Sequence, residues 1–164
     1  MADWVALLRG VNVGGANTVP MAELRALAEG LGWANVRSYI ASGNLLFEAQ
    51  AGDHAETLRA AMVAQMGVDV AIRVLAGHEI DAAAAACPWD VKGNLVHVFF
   101  CWDRPVIDGA LRDALIAPDE ELVVQGNRVW LYAPCHAGFG LRGGASLVLS
   151  FDPRSQAAQV RCHQ

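Results

Sequence analysis

With 164 residues, 54% of them hydrophobic and 18% charged, the chain has enough apolar surface for a packed core, which excludes an intrinsically disordered protein. Its formal net charge of −5 argues against binding through phosphate neutralisation, so a nucleic acid is not the expected partner. It has no apolar run of about 20 residues, and its first residues, Met1-Ala2-Asp3-Trp4, lack the positive charge of a signal peptide, so we expect a cytoplasmic protein with no membrane partner.

The first half of the chain predicts the element order βαββαβ. Hydrophobic patterns predict strands at 4–9, 36–40, 45–47 and 70–75, a helix that Thr18 caps and Gly32 ends, and a second helix from the Asp53-x-x-Glu56 start to Gly67. Between the second and third strands, Ser42-Gly43-Asn44 has the composition of a tight hairpin turn, because glycine adopts a positive φ without strain. This order is typical of the ferredoxin-like fold.

The second half repeats part of this order. We predict a helix from Gly77 to Cys87, a strand at 95–102, a helix at 106–116, and strands at 122–125 and 128–132 around Gly126-Asn127. The repetition predicts an α+β protein of two tandem ferredoxin-like (α-β plait, βαββαβ) domains, residues 1–76 and 77–164, that arose by internal duplication.

The end of the chain departs from the repeat. A helix and a strand should follow Tyr132, but the sequence has a glycine-rich stretch at 138–144, a β-like run at 147–151 and a polar end. We therefore expect the second domain to be incomplete, with a divergent or truncated tail from about residue 140. An uncovered sheet face and an unpaired strand edge would favour self-association through this domain.

The predicted topology brings two short loops to one end of the first sheet, beside the start of the first helix. Glycine and asparagine backbones, a helix N-terminus and an arginine form a pocket that suits an anion. The alternative is that these residues only meet the geometry of the turns, with Arg9 in a structural salt bridge. The candidate ligand-binding residues are Arg9, Asn12, Gly14, Gly15, Asn17, Ser42 and Asn44.

Other motifs give no support for a cofactor, a metal or a named reaction. The first loop lacks the Gly-Lys-Ser/Thr of a P-loop, and the string Gly138-x-Gly140-x-x-Gly143 has no following helix pattern. The pairs Cys135-His136 and Cys162-His163 have no common zinc-site spacing. We expect no metal and no cofactor, and no residue can be named as a nucleophile or a general base.

Histidines and aromatic residues have simpler interpretations. His54 and His78 lie near predicted helix starts and are expected in solvent, whereas His97 lies within a strand of apolar neighbours and is expected to be a core or edge residue rather than a catalytic base. Aromatic residues flank the hairpin and lie in or beside strands, but none forms the aromatic-basic signature of an RNA-binding sheet, so we expect them to pack in cores. They are Tyr39, Phe47, Trp102 and Trp130.

The stretch LLRGVNVGGANTVPMAELRALAEGLGWANVRSYIASGNLLF closely resembles the bacterial family known as domain of unknown function 1697. The resemblance is specific over residues 4–47, weaker through residues 119–124 and the following hairpin, and it fades after Gly140. It implies tandem ferredoxin-like domains and implies no reaction. Family members continue into Arg-Ser-Lys, a helix and a strand with Arg-Asn-Trp, which this chain lacks, so we expect a frameshifted or replaced C-terminus.

These observations favour a module that binds a small ligand bearing a phosphate or carboxylate group at the loop between the first strand and the first helix. The alternative from another class is a nucleic-acid or protein interaction module that acts through its sheets. Catalysis is left open.

Overall fold

The computed structural model describes residues 2–12, 17–39, 43–90, 95–134 and 157–161, and within them the chain has a mixed α+β fold. The chain divides into two compact units, Met1–Ala85 and Ala86–Gln164. Each unit contains one four-stranded antiparallel sheet. No helix among the described residues is long and apolar enough to cross a membrane.

The first unit has seven elements, and its sheet has the strand order β2-β3-β1-β4. Strand β1 lies between β3 and β4 and pairs antiparallel with both. The elements are β1 (Ala2–Leu8), α1 (Met21–Gly30), β2 (Ala34–Tyr39), β3 (Asn44–Ala49), α2 (His54–Met66), β4 (Ile72–Ala76) and α3 (Gly77–Ala85).

The ends of α2 follow the predicted local chemistry. The Asp53 carboxylate accepts a hydrogen bond from the Glu56 N–H at 3.2 Å, which satisfies one of the free N–H groups of the first turn. Gly67 ends the helix in the left-handed conformation, with φ at 66°. Both predictions are confirmed.

Helix α1 begins differently from the prediction. Pro20 is its N-cap and keeps an extended backbone, with φ at −64° and ψ at 122°, so the helix starts only at Met21. The prediction that Thr18 caps the helix is wrong, because Thr18 lies two residues before the N-cap. No side chain caps this helix, so the N–H groups of its first turn face the preceding loop without a side-chain acceptor.

One face of the first sheet packs under α1 and α2 to form the core. Ring stacking adds to this packing, with the Trp33 and Phe47 centroids 3.9 Å apart at an interplanar angle of 11°. The buried core includes Ala6, Leu8, Leu24, Leu27, Leu45, Phe47, Leu58 and Met62.

His54 belongs to this core. It is 7% exposed, and its ring lies edge-on to Trp33 and Phe47, with centroids 5.3 and 5.4 Å away. The prediction that His54 is in solvent is wrong, because the first residue of α2 points toward the sheet. His78 is exposed and His97 is 5% exposed, as predicted.

The second unit has a sheet with the strand order β6-β7-β5-β8. Its elements are β5 (Val96–Cys101), α4 (Gly109–Leu115), β6 (Glu121–Gln125), β7 (Arg128–Tyr132) and β8 (Ala157–Arg161). Gly126, with φ at 60°, forms the predicted turn between β6 and β7. Helix α4 begins three residues later than predicted, and Val106 before it is 77% exposed.

Strand β8 corrects the expectation about the end of the chain. It pairs antiparallel with β5 from Cys101 opposite Ala157 to His97 opposite Arg161. The prediction that this edge lacks a partner strand is wrong, because the polar end contains a short strand that pairing with β5 stabilises. Self-association through the second domain stays a prediction. The run at 147–151 lies outside the described residues.

The boundary between the units also differs from the predicted one, which was after residue 76. Helix α3 lies in the first unit, because its first residue, Gly77, packs on β1: a Cβ at Gly77 would be 3.2 Å from the Asp3 Cβ.

Two glycines of the first unit separate two energetic costs of adding a side chain. One is steric overlap with neighbouring atoms, and the other is backbone strain at a positive φ. Gly43 has φ at 85°, and a Cβ there would overlap Val11 Cγ2 and lie 3.0 Å from Leu8 Cβ. Gly32 has φ at 83° and no atom within 4 Å of such a Cβ. Gly32→Ala is therefore a control for Gly43→Ala that carries only the backbone strain.

We expect Gly43→Ala to lower the free energy of unfolding by about 2–4 kcal/mol, from left-handed backbone strain and steric overlap together. Gly32→Ala should cost about 1–2 kcal/mol, because it carries only the strain. Urea denaturation of both variants measures the difference. Equal losses in the two variants would show that the contact of Gly43 with Val11 and Leu8 has no energetic weight.

A second prediction concerns the ion pair of Arg59 with Asp69 and its loss at low pH. Hydrogen bonds from Arg59 to the Asp69 carboxylate, at 2.7 and 2.9 Å, lower the pKa of Asp69 from its ordinary value. The pair therefore contributes stability above the unfolded-state pKa of about 4, and this contribution is lost as the pH falls through the lower folded-state pKa. In Arg59→Gln, a carboxyl NMR titration should show the Asp69 pKa rising toward the ordinary value. Asp113, which is paired with Arg112, is the control carboxyl. An unchanged Asp69 titration would contradict this assignment.

Candidate functional site

Two turns of the first unit meet at one end of its sheet. The Leu8 N–H donates to the Gly43 carbonyl at 2.9 Å, which joins the end of β1 to the turn before β3. Val11, fully buried, packs against Gly43 where a side chain would otherwise lie. The loop after β1 and the connection from β2 to β3 are therefore neighbours.

Asparagine side chains hold the loop between β1 and α1. The Asn12 side chain donates to the Val19 carbonyl at 2.9 Å and accepts from the Val19 N–H at 2.8 Å. The Asn12 N–H donates to the Asn17 carbonyl at 3.1 Å, and the Asn17 side chain lies 3.4 Å from the Gly10 carbonyl. Both asparagines have positive φ angles, 56° and 49°. These contacts fit the structural interpretation of Asn12 and Asn17, because their amides close the loop.

Arg9 is exposed and follows β1 directly. Its backbone N–H donates to the Ala71 carbonyl at 2.9 Å, which continues the pairing of β1 with β4 by one residue. No described residue forms an ion pair or a side-chain hydrogen bond with its guanidinium group. Within the described chain, the alternative of a structural salt bridge at Arg9 is therefore not observed.

Asn44 is the first residue of β3 and is only 4% exposed. It lies opposite Leu7 of β1, whereas the next residue, Leu45, packs in the core under the helices. Because side chains alternate along a strand, Asn44 lies on the face of the sheet opposite α1 and α2. Its Nδ2 atom is buried and has no hydrogen-bond partner among the described residues. Buried amides are nearly always hydrogen-bonded, so this donor needs an explanation.

The described structure thus brings four of the seven candidate residues to one end of the sheet, namely Arg9, Asn12, Asn17 and Asn44. The other three, Gly14, Gly15 and Ser42, lie outside the described residues. Helix α1, which no side chain caps, begins directly after this loop.

Sequence reasoning missed Arg73, which lies in β4 directly opposite Leu7. It is half-buried and occupies the same register row as Asn44, on the other side of Leu7. An arginine within the apolar run Ile72-Arg73-Val74-Leu75 was the available signal. The run was interpreted only as a strand, because a single charged residue does not show which face of the sheet it occupies.

Metal-site and cofactor-site candidates gain no support. No group of three or more His, Cys, Asp or Glu side chains in the described residues could hold a metal ion. The pairs Cys135-His136 and Cys162-His163 and the string from Gly138 to Gly143 lie outside the described part of the chain.

The acidic run at 119–121 has structural contacts. Glu120 accepts a hydrogen bond from the Ala117 N–H at 2.9 Å, and Glu121 accepts one from Trp89 Nε1 at 3.0 Å. These carboxylates therefore stabilise the turn before β6 and the segment at Trp89.

The aromatic residues divide by burial. Phe47 is 2% exposed and Trp130 is fully buried, so both pack in cores as predicted. Trp102 is half-buried, and Tyr39 is exposed at 37%, so the prediction of core packing is wrong for Tyr39, which lies on the edge strand β2. A base-stacking surface would need several exposed rings on one face, and these four residues do not provide it.

The family described as protein of unknown function (DUF1697) matches residues 1–130. Among curated proteins, none matches the chain. A solved structure, "The structure of conserved bacterial protein SP0830 from Streptococcus pneumoniae", is similar in fold, with a TM-score of 0.65 and 23% sequence identity. The similarity covers 98% of this chain and 92% of that one. Because the family match extends over most of the chain, from β1 into β7, the chain belongs to the DUF1697 family.

Proposed function

We propose that this chain is a small-ligand-binding module that takes a phosphate- or carboxylate-bearing ligand at the end of the first sheet where β1 meets α1. The observation that carries the proposal is the Arg9 guanidinium, an exposed cation that pairs with no described side chain. It stands beside two joined turns and ahead of a helix that no side chain caps. A guanidinium group and a helix N-terminus both favour an anion.

The proposal includes the tandem ferredoxin-like fold. In the first unit, the order β1-α1-β2-β3-α2-β4 and the sheet order β2-β3-β1-β4 support a plait. In the second unit, the sheet order β6-β7-β5-β8 has the same scheme when β5 takes the place of β1. This correspondence supports an internal duplication, with α3 joining the two halves.

An interaction module acting through its sheets is the weaker alternative. Of the four aromatic residues weighed for stacking on a nucleic acid, Phe47 and Trp130 are buried and Trp102 is half-buried, which leaves Tyr39 as the one exposed ring of the four. The net charge of −5 also disfavours a polyanion, whereas one local arginine is enough for a small anion.

The test is Arg9→Ala, with Arg37→Ala as the matched control. Arg37 is also exposed and lies on β2, where strand pairing places it at the level of Val5 of β1. Val5 precedes Arg9 by four residues, so the two arginines are separated by about 13 Å along the strand direction. Both variants remove one positive charge from the first unit.

A thermal-shift screen of phosphorylated and carboxylated metabolites should first find a ligand that raises the Tm of the natural chain. Calorimetric titration should then show a 10- to 100-fold loss of affinity in Arg9→Ala, because a charge-assisted hydrogen bond contributes about 1.5–3 kcal/mol. Arg37→Ala should bind as the natural chain does. Equal affinity in Arg9→Ala, or an equal loss in Arg37→Ala, would refute the proposed site.

A further inference from the structure

Four side-chain positions form a register row across the first sheet, on the face opposite α1 and α2. Leu7 of β1 lies opposite Asn44 of β3 and opposite Arg73 of β4. Tyr39 of β2 lies opposite Asn44 and completes the row. Leu7 is fully buried, so an apolar residue lies between the amide and the guanidinium.

Arg9 stands next to this row. The hydrogen bonds from Leu8 to Gly43 and from Arg9 to Ala71 keep the pairing of β1 in register to residue 9. Arg9 is therefore two positions beyond Leu7, on the same face as Leu7. Diagonal neighbours in an antiparallel pair are about 7–8 Å apart, so Arg9 is within reach of both Asn44 and Arg73.

Charge is divided along this face. At the loop end, Arg73 lies opposite Leu7 and Arg9 follows two residues beyond Leu7, and Arg37 lies on the same face at the level of Val5. The acidic positions, Asp3 and Glu48, lie opposite each other at the other end of β1. Glu48 is also engaged there, where it accepts a hydrogen bond from Asn35 at 2.6 Å. The loop end of the face is therefore the positive end.

Most hydrogen-bonding groups of the adjoining loop are already used. The N–H groups of Leu8, Arg9, Asn12 and Val19 donate to protein acceptors, and the Asn12 amide is occupied at both ends. Among the side-chain donors that the described contacts leave unused are the Arg9 guanidinium and the Asn44 Nδ2 group. Both adjoin the positive end of the face.

We infer that the ligand presents a carboxylate to this face, where Arg9 and the Asn44 amide bind its oxygens. This inference rests on the proposed function, and it specifies the class of ligand and the place on the sheet where the ligand binds. The carboxylate enters past Arg9, the exposed residue, and the Asn44 amide turns about its side-chain bonds to donate to it. The carboxylate therefore binds on the sheet face rather than at the N-terminus of α1.

A carboxylate suits this position better than a phosphate because the position is largely dehydrated. Asn44 is 4% exposed and Leu7 is fully buried, so a bound group loses most of its water. The cost of removing water from an ion rises steeply with its charge, and a phosphate monoester carries about −1.5 to −2 at pH 7 against −1 for a carboxylate. A planar carboxylate also matches the planar guanidinium fork.

The test is an NMR titration of the ¹⁵N-labelled full chain with acetate and, separately, with inorganic phosphate, at pH 7 and constant ionic strength. The side-chain N–H₂ signal of Asn44 is identified by its loss in Asn44→Asp, and the Nε–H signal of Arg9 by its loss in Arg9→Ala. The Arg25 Nε–H signal, from helix α1 on the other face of the sheet, and the Asn35 side-chain signal serve as controls on the same unit.

We expect acetate to shift the Asn44 and Arg9 signals saturably with one Kd, to leave both controls unchanged, and to bind at least fivefold more tightly than phosphate. In Asn44→Leu, which keeps the volume but removes the amide, the acetate affinity should fall about tenfold while the unliganded chain gains Tm. The titration of the natural chain decides the matter if this variant does not fold.

Other results separate this inference from the proposed function. If either anion shifts Arg9 and leaves Asn44 unchanged, the face-bound seat is wrong and the anion site at the loop survives. If phosphate binds at both groups as tightly as acetate, the choice of a carboxylate is wrong. If neither anion shifts Arg9, both proposals fail.

Discussion

The close contact of Gly43 with Leu8 and Val11 is the constraint on which the candidate site depends. Val11 fills the space where a side chain at residue 43 would lie, and it is fully buried in the same core as Leu24 and Leu58. The turn before β3 and the loop after β1 are therefore attached to the core. A loop that is attached in this way can present side chains in a fixed arrangement, which a binding site requires.

The residues at this end of the sheet divide into two kinds by what they contact. Asn12 and Asn17 use their amides within the loop, and their positive φ angles explain why asparagine is found there. Arg9 and Asn44 have donors that no described group accepts. Sequence reasoning grouped all four by residue type, whereas the hydrogen bonds separate the residues that build the loop from those available to a ligand.

The second unit repeats the scaffold but changes these side chains. The Cys101 N–H donates to the Asn127 carbonyl at 2.8 Å, in the place of the bond from Leu8 to Gly43. By register, Phe100 lies opposite Arg128 as Leu7 lies opposite Asn44. Trp102 then follows β5 at the position where Arg9 follows β1. The same backbone contact therefore carries different chemistry in each unit, which is why the proposed site is assigned to the first unit alone.

Local patterns in the sequence determined most of the elements. Three features depend on neighbouring residues only: the order of β1 to β7 among the helices, the Asp53 cap of α2, and the Gly126 turn. Long-range packing decided the rest. Strand β8 has one β-branched residue, Val160, and is hard to recognise without β5 beside it. His54 is buried because α2 packs on the sheet. Arg73 joins Asn44 only through the register of three strands. A turn or a helix cap is specified by a few adjacent residues, whereas the neighbours of a side chain across a sheet are set by strand pairing between distant parts of the chain.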